Sequence, residues 1–142
     1  MYQTIEFPDV DELAVNLVYD KVGAGMSVEV ASQLPSPVPD RFIQCYSLPG
    51  RELSPRTLTC QVVIRVYDTT DQVVRCSKTA RLIGSTLRAA PNILGAHNEW
   101  VSEPCERQGP YPIQDPEVPN RVCYQANVTW TIQSQVVNHE GG

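Results

Sequence analysis

The tightest group of chemistry-bearing side chains in the sequence is Asp9, Asp11 and Glu12. Carboxylates this close could share a divalent cation or pass a proton. On a helix, however, positions 9, 11 and 12 spread around the axis. They read better as charge at a helix start, where carboxylates meet the positive end of the dipole. The two histidines offer less. His97 follows Gly95-Ala96, and His139 lies close to the end of the chain. Neither stands beside a nucleophile in a recognisable motif, and no Gly-rich turn precedes a helix to cradle phosphate. The five cysteines, at 45, 60, 76, 105 and 123, contain no CxxC pair and no zinc-ligand spacing. Their odd number, with no basic and apolar leader in Met1–Glu6, predicts free thiols in a reducing compartment. Asn127-Val128-Thr129 matches the glycosylation sequon, but it falls mid-strand and reads as chance. The sequence therefore predicts no catalytic residue, no metal ligand and no cofactor, and the chain is not expected to be an enzyme.

The charge pattern is more informative. The net charge is −5, with pI near 4.9, which argues against tightly held DNA. Residues 1–40 carry seven acids against Lys21 alone, a net of −6, and the remainder carries nine acids and ten bases, a net of +1. The acidic stretch is either a solvated first helix or a patch that meets an Arg-bearing surface on another copy. Arg75, Lys78 and Arg81 lie together on the solvent side of a second helix. They suit a solvated face, an acidic neighbour or nucleic acid.

The elements that must position these groups follow from periodicity. A chain of 142 residues is expected to form one domain, 1–142, with a disordered tail from about residue 138. No apolar run approaches the ~18 residues of a membrane span, so no contact with a membrane is expected. Pro8-Asp9 opens a helix with the stripe Val10, Leu13, Ala14, Leu17 and Val18, and Gly23 and Gly25 are expected to stop it. Short strands follow at Met26–Ala31 and Arg41–Ser47. Residues 48–56 read as a loop from their Pro and Gly content. A third strand puts Leu58, Cys60, Val62, Ile64 and Val66 on one face. Thr69 to Gln72 reads as a capping box for a helix with the stripe Val73, Cys76, Ala80, Ile83 and Leu87, which Pro91 ends. Glu99–Cys105 is a fourth strand, and 108–119, with four prolines, a stiff loop. Residues 122–136 alternate strictly, broken only by Ser134, and predict one strand of roughly 50 Å at about 3.3 Å per residue. Such a strand outreaches a small core, so part of it must bend, bulge or pair elsewhere. The expected fold class is α+β: a mostly antiparallel sheet of about five strands with two helices on one face, in the order α-β-β-β-α-β-β.

Apolar residues on expected outer surfaces mark a candidate subunit interface. Val63 and Tyr67 share the far face of the third strand with Arg65, and Val74 and Leu82 lie off the core stripe of the second helix. The 48–56 and 108–119 loops add Arg51, Arg56 and Tyr111 as residues on stiff protrusions.

Several local patterns together resemble the tail terminator proteins of long-tailed (siphovirus-type) bacteriophages of actinobacteria. The resembling stretch is roughly residues 8–136. It includes Pro8-Asp9-Val10, Pro39-Asp40-Arg41-Phe42-Ile43 leading to Leu48-Pro49-Gly50, and the Leu58–Val66 strand with Tyr67-Asp68. It continues with Leu87-Arg88-Ala89-Ala90-Pro91, Gly109-Pro110-Tyr111-Pro112, Asp115-Pro116-Glu117, and Arg121 to Ala126. Pro49-Gly50 stands where the family often has a double glycine, and Val118–Arg121 where it commonly has Ser-Gly before Arg-Tyr. The resemblance implies a structural virion protein at the head-proximal end of the tail, assembled in the host cytoplasm. It implies a homo-oligomeric ring, a hexamer in the family. That ring caps the tail tube, ends polymerisation of the tail tube protein and meets the head–tail connector protein. DNA would pass through without being tightly bound. Other readings are a neighbouring head–tail joining subunit (head-closure or tail-completion) or a small cytoplasmic binding module.

Overall fold

The computed structural model describes residues 1–94 and 100–140. The chain is α+β. Its main sheet has five strands in the order β2-β3-β4-β6-β5: β2 Val30–Ala31, β3 Phe42–Ser54, β4 Thr57–Asp68, β6 Val122–Gln133 and β5 Val101–Ile113. All neighbours are antiparallel except β2 and β3, so the sheet is mixed. A separate two-stranded ribbon pairs β1 (Tyr2–Glu6) with β7 (Gln135–His139). The helices are α1 (Val10–Val18), α2 (Ala24–Met26), α3 (Val73–Arg88) and α4 (Ala90–Leu94), with a π-helical turn at Tyr19–Gly23 joining the first two.

The sheet is built on the alternation read from the sequence. Cys60, Val62, Ile64 and Val66 of β4 face the core with Ala126, Val128, Trp130 and Ile132 of β6. The register sets Val62 opposite Val128 and Leu58 opposite Ile132. Both long helices pack on this face, α1 through Ala14, Leu17 and Val18 and α3 through Cys76, Ala80, Ile83 and Leu87. Asp9 caps α1, its Oδ1 accepting the Glu12 amide at 3.1 Å. Asp11 ties the same helix to the sheet, accepting Ser47 N–H and O–H, each at 2.6 Å.

Several boundaries differ from the expectation. Gly23 and Gly25 do not stop the first helix. The chain continues through the π turn and α2 and ends at Ser27, which sits in the left-handed region at φ 56°. Gly23 is there for close packing: a Cβ would stand 2.8 Å from Val30 Cγ2 and 2.9 Å from the Val28 carbonyl. Met26 is therefore helical, and the strand after it shrinks to Val30–Ala31. Thr69 does not cap α3; its hydroxyl donates to Asp71, and the helix begins at Val73, whose side chain is exposed rather than part of the buried stripe. The junction is instead held by Asp68. This fully buried carboxylate accepts Arg75 Nε at 2.8 Å and Nη2 at 2.6 Å, accepts the Thr69 amide, and stands 3.4 Å from Arg41 Nε. Helix α3 ends at Arg88, and Pro91 lies in the first turn of α4, where its missing N–H costs nothing. Both expected loops are partly strand. β3 continues to Ser54 and β5 to Ile113, because β5 is an edge strand and β3 becomes one beyond Gln44, where β2 ends, and Pro is tolerated at an edge. Asn138 and His139, expected in a disordered tail, belong to β7. His97 and Glu99 lie outside the described residues.

All five cysteines are free and buried. Burial pushes their thiols up, Cys76 to about 11 and Cys60 and Cys123 to about 12. At pH 7 a thiol near 11 is a thiolate in only about one molecule in ten thousand. Native protein should therefore react negligibly with an aromatic disulfide reagent and yield all five thiols once denatured. Reductant should leave the melting temperature unchanged. A drop of several degrees would reveal a missed bridge.

Candidate assembly surface

The outer face of the sheet, away from the helices, carries the polar parity of β4 and β6. At its centre Arg65 Nε donates to Gln125 Oε1 at 2.9 Å. Gln125 Nε2 donates to the Tyr111 hydroxyl at 3.0 Å and to Asn127 Oδ1 at 3.2 Å, and Asn127 Nδ2 donates to the same hydroxyl at 3.1 Å. Tyr111 reaches these partners because β5 bulges between Gln108 and Tyr111. Gly109 makes that bulge at φ 89°, and a Cβ there would meet the Tyr111 ring at 2.9 Å and the Gln125 carbonyl at 3.0 Å. Asp115, on the loop after β5, accepts the Tyr67 hydroxyl at 2.8 Å, with Arg65 Nη1 at 3.9 Å. Burial and that bond hold the Tyr67 phenol well above its ordinary range.

Three of the eight candidate interface residues, Arg65, Tyr67 and Tyr111, thus converge on one network. Two were misjudged as exposed. Tyr67 is fully buried and Val63 is only 2% exposed. The reason for Tyr67 is tertiary. Segments 31–38 and 113–118 fold over this end of the outer face and close a second small core of Phe42, Tyr67, Val118 and Cys123, with Leu34, Val38 and Ile113 against it. Val63 is enclosed in the sheet between Tyr46 and Asn127. The 108–119 segment is likewise no free loop: its first half is β5, and Val118 roofs the second core. Removing it would strip that core and leave the Cys123–Asn127 end of β6 without its edge neighbour.

The other candidates lie elsewhere. Val74 and Leu82 sit on the outer face of α3, 80% and 46% exposed. Arg51 is exposed on the outer half of β3, and Arg56 in the turn to β4. Neither side chain forms an ion pair among the described residues. The Arg56 carbonyl accepts the Ser134 amide at 3.0 Å, at the point where β6 gives way to β7. Beyond it the β1–β7 ribbon carries the exposed Tyr2, Ile5 and Val136, with Tyr2 stacked on His139 at 4.7 Å between ring centroids. Sequence reasoning missed Gln125, Asn127 and Asp115. The first two lay in plain view on the polar parity of the last strand; Asp115 had no local signal.

Among the described residues no group of three or more His, Cys, Asp or Glu side chains is placed to hold a metal ion. No described helix is long and apolar enough to cross a membrane. Compared with known proteins, the sequence matches no family model and no curated protein.

Proposed function

We propose that the chain is a structural ring subunit of a long-tailed bacteriophage: a tail terminator that caps the tail tube, ends its polymerisation and joins the tail to the head connector. The specific role rests on the sequence resemblance across residues 8–136. The observation that carries the assembly reading is α3. Its inner face is fully buried through Cys76, Ala80, Ile83 and Leu87, yet Val74 and Leu82 give its outer face exposed apolar area as well. Large apolar side chains held out among the basic residues of a helix's solvent side suit burial against a partner. The outer sheet face fits a wall along which DNA slides: its amides and hydroxyls are neutral, and its arginine, Arg65, is held by Gln125 and Asp115.

The test is the position of the chain in particles. With an epitope-tagged chain, electron microscopy should find the label as one focus at the head-proximal end of each tail. Without the chain, tubes should lose length control. Label on heads before tails attach would favour a head-closure subunit. Label absent from particles would end the virion reading.

A further inference from the structure

We propose that copies of this chain associate head to tail, the acidic outer stripe of α1 in one copy seating on the basic outer stripe of α3 in the next. The proposal rests on the ring reading and specifies which surfaces meet. Asp9, Glu12, Tyr19 and Asp20 recur at helical spacing along the exposed side of α1 and the π turn. None of the three carboxylates has a cationic partner among the described residues. On α3, Lys78 and Arg81 flank Leu82 on the exposed side, and Val74 lies one turn before Lys78. Arg107 of β5 extends the stripe, its Nη1 donating to Ser85 Oγ at 2.7 Å. These three cations have no carboxylate partner among the described residues either. Most other arginines of the fold do: Arg41 and Arg75 with Asp68, Arg65 with Asp115, Arg88 with Glu103, Arg121 with Asp40.

Three carboxylates without a cation on one stripe and three cations without a carboxylate on the other are complementary in sign and number. Their lengths also agree. Residues 9–20 span about 16 Å, and 74–85 of α3 about the same. Each stripe carries apolar area at its centre or end, Tyr19 on one and Val74 and Leu82 on the other, so a contact would desolvate the charges it pairs. Pairing α3 with α3, or α1 with α1, would set like charges against each other. The contact therefore joins α1 to α3 rather than a helix to its own copy, as a head-to-tail contact that can close into a ring does.

Two charge-swap variants test this. K78E/R81E makes both stripes acidic, and E12K/D20K makes both basic. All four side chains are exposed, so each variant should melt within a degree or two of the parent, as circular dichroism will show. In low salt, analytical ultracentrifugation of the unaltered chain should show self-association. Each variant alone should associate at least about a hundredfold more weakly. An equimolar mixture should recover assembly as an alternating oligomer. A second readout uses the scarcity of lysine, since only Lys21 and Lys78 are present. Carbodiimide should join Lys78 of one copy to Glu12 or a neighbouring acid of the next, and Lys78→Arg should abolish that cross-link while keeping the charge. Variants that assemble like the parent, a mixture that fails to recover, or no intermolecular Lys78 cross-link would each overturn the proposal. Those outcomes leave the ring reading standing if the label still marks the tail end in particles; loss of that label would fail the ring reading itself.

Discussion

Reversing charge at Arg51 and Arg56 together, Arg51→Glu with Arg56→Glu, is expected to leave the folded chain intact and to yield particles with unjoined heads and tails. Both side chains are exposed at the end of the sheet where β3 turns into β4. Their fold contacts run through the backbone: Arg51 N–H donates to Thr59 Oγ1 at 3.0 Å, and Arg56 N–H to Ser54 Oγ at 3.2 Å. Substitution keeps those bonds, so the melting temperature should move by no more than a degree or two. The β3 edge is poorly suited to strand addition, because Pro49 and two register shifts interrupt it. A partner would have to engage its side chains. Loss of a charge at the centre of such a contact costs about 2–5 kcal/mol, and reversal more. In the ring reading, joined particles should fall by at least about thirtyfold, counted by electron microscopy and by infectious titre. Normal titre would move the junction to the outer face around Arg65 and Tyr111.

Trp130→Ala should cost the fold about 4–5 kcal/mol, from a cavity of the Trp-to-Ala kind and the loss of one hydrogen bond. Trp130 is fully buried on β6, and its Nε1 donates to the Leu87 carbonyl of α3 at 2.8 Å. It therefore joins the sheet to the helix layer by packing and by a directional bond. Since a domain has a total stability of about 5–15 kcal/mol, the variant should lose from about a third to nearly all of it and melt well below the parent. Trp130→Phe keeps much of the volume and forfeits chiefly the bond, so it should cost about 1–2 kcal/mol. Urea denaturation of the three proteins measures both differences. A loss below about 1 kcal/mol for Trp130→Ala would mean the helices do not rest on this part of the sheet.

What the sequence determined by itself was whatever depends on local periodicity. The two-residue repeat of Leu58–Val66 and Val122–Ile132 fixed two strands and the face each buries, though not that they lie side by side. The repeat of Cys76, Ala80, Ile83 and Leu87 fixed the inner side of α3, and with it the outward placement of Val74 and Leu82. Ser134, the one break in the last alternation, is where the long strand divides and its end turns to pair with β1. Tertiary structure decided what depends on neighbours. Pro49, Pro110 and Pro112 suggested loops, yet they lie in strands because edge strands leave one row of backbone groups unpaired. Val63 and Tyr67 belonged to the parity that points away from the helices, and parity says which face a side chain takes, not whether that face is covered. For Tyr67 the covering came from residues 31–38 and 113–118, remote in sequence and without periodicity of their own. The same reason hid the Arg65–Gln125–Tyr111 network: it joins three strands whose side-by-side order no local pattern encodes.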